Sequence, residues 1–243
     1  MGRSSRMVHK IPDVERIRDR RGFIVKACEN RSVLHLGCAD WPLTAESLQD
    51  GTLLHLSVSK VSKRTFGIDS SEQGLSVLRA HGFRDLIQWD VEKLDHLRME
   101  GPVDVIVAGE ILEHLSNPGL CLQGISQFMR HSKSKLIISV PNAFSIRHFA
   151  SLMFRRTELV HPEHTAYYSF TTLSELLQRY DFQVLEIYTC TEVSSKSSPL
   201  NRFAKRVLNS TLHRAFPQLA EGIIAVVENG DGNDRREQPM ASN

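Results

Sequence analysis

The runs VDVIVAG and KLIISV are apolar on consecutive residues, not on alternate ones, and this constrains the fold more than any other feature of the 243-residue chain. A strand with one wet face alternates between polar and apolar residues. A strand apolar on both faces needs a covering layer on each side, as in a parallel sheet between helices. Short runs rich in β-branched residues fall at Ser32–Leu36, Thr65–Ile68, Asp85–Trp89, Val103–Ala108 and Leu136–Val140. Between them leucines recur at three- and four-residue spacing, the period of a helix packed on one face. The chain therefore reads as repeated βα units of an α/β domain. After Phe170 the pattern predicts a helix over Thr172–Tyr180 with Thr171 or Thr172 capping its first turn, then a strand over FQVLEIYTC. A helix over Leu200–Arg214 and a last strand over GIIAVVE follow.

Composition narrows the class. With 41% hydrophobic and 24% charged residues, the chain can bury the core of one large domain. The reading assigns residues 1–30 to an N-terminal helical extension, 31–228 to the domain, and 229–243, rich in Gly, Asp, Asn and Arg, to a disordered tail. No run approaches the roughly 20 apolar residues that cross a bilayer, and the basic N-terminus lacks the apolar stretch of a secretory signal. A cytoplasmic protein is expected. Cys28, Cys38, Cys121 and Cys190 lie too far apart for a zinc or redox motif and read as reduced thiols filling space. A net charge of +2 is too weak to announce nucleic acid.

In an open parallel sheet, ligands bind beyond the carboxyl ends of the strands, near the point where strand order reverses. Those positions here are Gly37, then Asp69 in FGIDSS, Asp90 in IQWDVE, and Gly109-Glu110 in VIVAGEILEHL. Three successive strand ends carry acids. One after the second strand can accept hydrogen bonds from ribose hydroxyls, and one after the third can reach the exocyclic amine of an adenine. Gly37 lets the backbone approach a ligand closely. Taken singly, Asp69 also reads as a helix cap and Asp90 as a turn residue.

Together these segments resemble the class I S-adenosylmethionine-dependent methyltransferases. VLHLGCAD is similar to their glycine-loop motif, FGIDSS to the ribose segment, IQWDVEKL to the adenine-side segment, and VDVIVAGEILEHLSNPGLCLQ to the fourth motif. KLIISVPNA and HPEHTAYYSFTTLSELLQRYDFQVLEI continue the likeness, which spans Arg31 to Ile187. The resemblance implies a three-layer, Rossmann-like sheet of seven strands, mostly parallel, with GIIAVVE as the one antiparallel strand beside the fifth. It implies S-adenosylmethionine as cofactor, contacted by Gly37, Cys38, Asp40, Asp69, Asp90, Val91 and Glu110. His35 stands where the family has an acid, Ala39 where it has a second glycine, and Trp41 where a third is common. One glycine can suffice, because this cofactor has no pyrophosphate to cradle. Asp40 is the expected substitute for the missing acid, and the long segment from Pro42 to Lys63 a candidate lid.

In EILEHL, Glu110, Glu113 and His114 fall at i, i+3 and i+4, so a helix starting there brings two carboxylates and an imidazole to one face. The cluster resembles the E-x-x-E-H of methyltransferases of ubiquinone synthesis and of small-RNA 3′ ends. Oxygen and imidazole donors at that spacing make Glu110, Glu113 and His114 a candidate Mg²⁺, Mn²⁺ or Zn²⁺ set, with His164 or His161 as the fourth ligand. One alternative is a helix start whose acids only complement the dipole, and another places Glu110 near the cofactor with His114 as a general base. His114, His161 and His164 are the candidate catalytic residues. Phe, Leu and Met residues between Asn142 and Phe170 read as an acceptor wall, a membrane-facing helix or plain core, and Arg147, Arg155 and Arg156 as anion contacts or solvated surface. The expected activity is methyl transfer to an oxygen or nitrogen of a small-molecule or glycan-like acceptor. The alternatives are metal-assisted methylation of an RNA ribose hydroxyl and a methyltransferase-like fold retained as a binding module.

Overall fold

A computed structural model describes residues 10–11, 13–99, 101–130, 132–191 and 213–230. Its strands are β1 (Glu15–Ile17), β2 (Ser32–Leu36), β3 (Arg64–Asp69), β4 (Leu86–Gln88), β5 (Val105–Gly109), β6 (Lys135–Pro141), β7 (Phe182–Cys190) and β8 (Gly222–Asn229). They form one sheet in the order β1-β7-β8-β6-β5-β2-β3-β4. All pairings are parallel except those of β8, which runs antiparallel to β6 and β7. The expected antiparallel strand is therefore β8, in the expected place.

The sheet has eight strands among the described residues, not seven. The extra one, β1, lies within the segment read as a helical extension and pairs with β7, forming one edge of the sheet. The predicted tail lies outside the described residues beyond Gly230, and so does the predicted Leu200–Arg214 helix up to residue 212.

Consecutive apolar residues on the central strands split between the two faces, as the sequence pattern requires. Leu34, Leu36, Ile106, Ala108, Leu136 and Ile138 face one core, which the helices α5 (Pro118–Met129) and α7 (Phe170–Arg179) cover. Val33, Val105, Val107 and Ile137 face the other, under α1 (Arg20–Ala27) and α3 (Leu54–Val61). Helix α4 (Glu72–Ala80) packs Leu75 and Leu78 against Cys38 and Ala39 of the first loop. All four cysteines are buried. Burial pushes the thiols of Cys28 and Cys121 up to about 12, so both stay protonated.

The segment from Pro42 to Lys63 is no simple lid. It forms α2 (Thr44–Gln49) and then α3, which buries His55 and Val58 against the sheet. The approach of α3 is close enough to need a glycine on the strand beneath. A Cβ on Gly67 would meet Leu86 Cδ2 at 2.7 Å, Cys38 Sγ at 2.8 Å and His55 Cε1 at 2.9 Å. Gly67→Ala is therefore expected to lower unfolding free energy by roughly 1–3 kcal/mol, the usual cost of overpacking, measurable by urea denaturation.

Helix α7 starts at Phe170, capped by Ser169 and not by Thr171 or Thr172. The Ser169 hydroxyl accepts from Thr172 N at 3.2 Å, and Thr172 Oγ1 accepts from Ser169 N at 2.8 Å, a reciprocal capping box.

Candidate active site

Strand order reverses between β2 and its neighbours β3 and β5, and the loops leaving these strands meet at one rim. Gly37 takes φ +68°, and a Cβ there would lie 2.9 Å from Ile111 Cδ1 in the loop after β5. Gly37 N and Cys38 N both donate to Ile68 O of β3, at 2.8 and 3.1 Å. Asp69 closes the same junction. Its Oδ2 accepts from Ala39 N at 2.9 Å and its Oδ1 from Ser71 N at 2.9 Å, so the carboxylate ties the glycine loop to the end of β3. A carboxylate offers about four acceptor positions, which leaves two for a ribose. Ser71, not Asp69, caps α4 by accepting from Gly74 N.

The departures from the family pattern have local explanations. Ala39 is buried against α4, where a Cβ on Gly74 would lie 2.7 Å from the Ala39 Cβ. A glycine moved onto the helix thus supplies the close packing that the loop's own second glycine gives elsewhere. Trp41 is 48% exposed and sits over the same turn of α4, 3.3 Å from that Gly74 position at its Cβ. Asp40 is exposed, takes φ +52°, and accepts from Ser47 Oγ at 2.8 Å.

His35 points to the opposite side of β2 from Leu34 and Leu36 and meets His55 of α3, Nδ1 to Nδ1, at 3.1 Å. One ring donates and the other accepts, so the two are not both charged. Burial, then each ring's neighbour in the case of His35, holds both below the ordinary 6.5, His55 at about 4. The unfolded chain binds protons that the folded one refuses as pH falls from 6.5 to 4, so stability is full above that window and is lost within it. For His55 the loss is on the order of 3 kcal/mol. Urea unfolding at pH 7.5 and 4.5 is expected to show it, and His35→Leu/His55→Phe to flatten it.

Asp90 follows β4 and accepts from Glu92 N at 3.0 Å, while its other oxygen pairs with Lys93 at 3.1 Å. Val91, the next residue, is buried. Glu110 takes φ +52° immediately after β5, and its carboxylate meets Arg20 at 3.1 Å. Arg20 also donates to Ser139 Oγ of β6 at 3.0 Å, so α1 extends a guanidinium across the rim. Sequence reasoning missed Arg20, since nothing distinguishes it within the basic run RIRDRR.

The helix expected to gather Glu110, Glu113 and His114 does not form. Left-handed backbone at Glu110 is incompatible with a helix start, and only a single 3-10 turn, Leu112–His114, follows. Glu110 turns to Arg20, Glu113 is fully buried, and His114 remains partly exposed. Among the described residues the three histidines do converge. Ligand atoms of His114, His161 and His164 all lie within 4.8 Å of one another.

The 3-10 turn and the 156–169 loop are laced together by the backbone. Thr165 N donates to Glu113 O at 2.7 Å, Thr165 Oγ1 to Leu115 O at 2.8 Å, and Tyr168 OH to Leu112 O at 3.4 Å. His164 Nδ1 is buried and has no hydrogen-bond partner among the described residues. Glu163 lies 4.0 Å from His114 Nδ1. Burial, then His161 in the case of His114 and His114, His161 and His148 in the case of His164, lower both below 6.5, and Glu163 only partly opposes this. Both are neutral at pH 7, the form that accepts a proton or ligates a cation.

Comparison with known proteins agrees with this architecture. A family model described as a methyltransferase domain matches residues 7–187. The chain belongs to the methyltransferase-domain family. Its fold is that of the class I S-adenosylmethionine-dependent methyltransferases, whose cofactor is S-adenosylmethionine. An S-adenosylmethionine-dependent methyltransferase of Clostridium acetobutylicum is 13% identical with a TM-score of 0.51, over 87% of this chain and 91% of that one. A methyltransferase of Haloferax volcanii, solved with its activator, is 16% identical with a TM-score of 0.53, over 87% and 89%. The small RNA methyltransferase HEN1 is 17% identical with a TM-score of 0.52, over 87% of this chain but 25% of that one. Among curated proteins, none matches the sequence. In this methyltransferase domain, no helix among the described residues is long and apolar enough to cross a membrane.

Proposed function

We propose that the protein transfers the methyl group of S-adenosylmethionine to an oxygen or nitrogen of a small-molecule acceptor, with the His114, His161 and His164 cluster at the acceptor side. The single observation carrying this reading is that the loop holding two of the histidines is stitched onto the turn that leaves β5, next to the switch-point rim. Gly37, Cys38 and Asp69 line the cofactor's side of the rim, Asp90 and Val91 its adenine end, and Asp40, Glu110 and Arg20 its amino-acid end. The sulfonium methyl is already activated, so the protein's task is to align donor and acceptor and to manage the acceptor's proton. S-adenosylmethionine, when bound, would supply the methyl group to the acceptor's lone pair with its sulfur as the leaving group, and neutral His114 would take the acceptor's proton. Glu163 favours the imidazolium so formed.

Three imidazoles, one with a buried nitrogen lacking a partner among the described residues, are also a donor set fit for a borderline divalent cation such as Zn²⁺. His114, His161 and His164 would hold it, without Glu110 or Glu113. Such a cation, when bound, lowers the pKa of an acceptor hydroxyl. Incubation with methyl-labelled donor and fractionated acceptor pools tests the proposal. Label is expected in small molecules, and label confined to RNA and abolished by chelator would replace it by the ribose-methylation reading.

A further inference from the structure

An apolar concavity lies beside the histidine cluster. It measures about 790 Å³, within the range of pockets that bury small ligands. Helix α6 (Ile146–Arg155) and the return loop form its walls, with Phe144, Phe149, Leu152 and Leu159 supplying apolar surface. Phe144, Phe149 and Leu152 are 58%, 60% and 60% exposed. Side chains this large cost free energy in water and are unusual in a contiguous group unless they meet a ligand or a partner.

The groove carries polar side chains, Glu158 and Gln218 among them, and one stretch of its lining approaches the histidine cluster. His148 and Tyr167 line it there, their rings 5.5 Å apart, and Tyr167 stands 6.3 Å from the ring of His164. Tyr167 OH donates to Leu159 O at 3.1 Å, which holds the ring at that junction. An unbroken series of rings thus joins the histidine cluster to the mouth of an apolar trough.

From this continuity we infer that the acceptor is an amphiphile: its nucleophilic hydroxyl or amine sits at the histidine cluster and its long apolar chain lies in the trough under α6. The inference rests on the methyltransferase reading of the same site and adds the acceptor's class. A glycan or an RNA has no apolar chain to fill this trough. Without an occupant it would leave Phe149 and Leu152 facing water.

Fluorescence of 11-(dansylamino)undecanoic acid, a monomeric probe with an apolar chain, tests the proposal directly on the full chain. Saturable binding is expected, displaced by n-alkyl alcohols with affinity rising about threefold to fourfold per methylene until the trough is full. Leu152→Asp and Phe149→Asp, both at exposed positions that leave the core intact, are expected to abolish it. Displacement independent of chain length, probe binding unchanged in both variants, or binding only to phosphatidylglycerol vesicles and never to monomeric probe would each overturn it. Calorimetry with S-adenosylhomocysteine on the same samples keeps the two readings apart. Cofactor binding without chain binding rejects the amphiphile alone, and chain binding without cofactor binding rejects the methyltransferase reading on which it rests.

Discussion

His114→Ala is expected to lower the rate of methyl transfer by about 10²–10⁴-fold while leaving affinity for S-adenosylhomocysteine unchanged, the span usual for loss of a general base. The side chain is partly exposed on a three-residue turn, so its removal opens no cavity in the core. Its pKa lies below 6.5, so the acid limb of the rate profile should fall below that pH and steepen as the ring protonates. Replacing the neighbours distinguishes the two chemistries that the cluster can support. If a cation is held, His161→Ala and His164→Ala reduce the rate as much as His114→Ala, and a chelator does the same to the unsubstituted enzyme. If His114 acts alone, His161→Ala shifts the profile toward higher pH, because it removes an imidazole that disfavours the charged form.

Gly37→Val should weaken S-adenosylhomocysteine binding on the order of 100-fold. Left-handed backbone costs a side-chain-bearing residue about 1–2 kcal/mol, and a Cβ 2.9 Å from Ile111 adds an overpacking cost of roughly 1–3 kcal/mol. Both are relieved by moving the loop, which carries with it Cys38 N, Ala39 N and the hold of Asp69. Gly51→Ala is the control. Gly51 takes φ +65° with nothing within 4 Å of a Cβ, so it suffers the backbone cost without the clash. A small loss of stability with no change in cofactor affinity is expected there.

The parts of this molecule that the sequence made legible are those governed by periodicity. Consecutive apolar residues in VDVIVAG and KLIISV demanded a two-sided cover, and the two cores on either side of β5 and β6 are that cover. What it concealed depends on backbone states and on long-range contacts. Glu110 adopts φ +52° without being Gly or Asn, so a helix starting at that residue looked sound and was not. His114 and His164 are 50 positions apart, and the threonine that joins their segments looks like any loop residue. The strand Glu15–Ile17 has three residues, two of them charged, and only its partner β7 makes it a strand. His35 read as a lost acid; its partner His55 arrives on a helix that no alignment of strand ends reveals.

The central claim is that one rim, built from Gly37, Asp69, Asp90 and Glu110 at the ends of neighbouring strands, accepts an adenosine-bearing cofactor. Isothermal titration of the full chain with S-adenosylhomocysteine addresses it most directly, together with Asp69→Asn, which keeps one carbonyl acceptor for the loop amides but removes the charge. Micromolar one-to-one binding that weakens at least about tenfold in Asp69→Asn, the scale of a lost charge-assisted hydrogen bond, is the predicted result. A cooperatively folded chain that takes up no S-adenosylhomocysteine, or binds it equally well with Asn at position 69, would contradict the account.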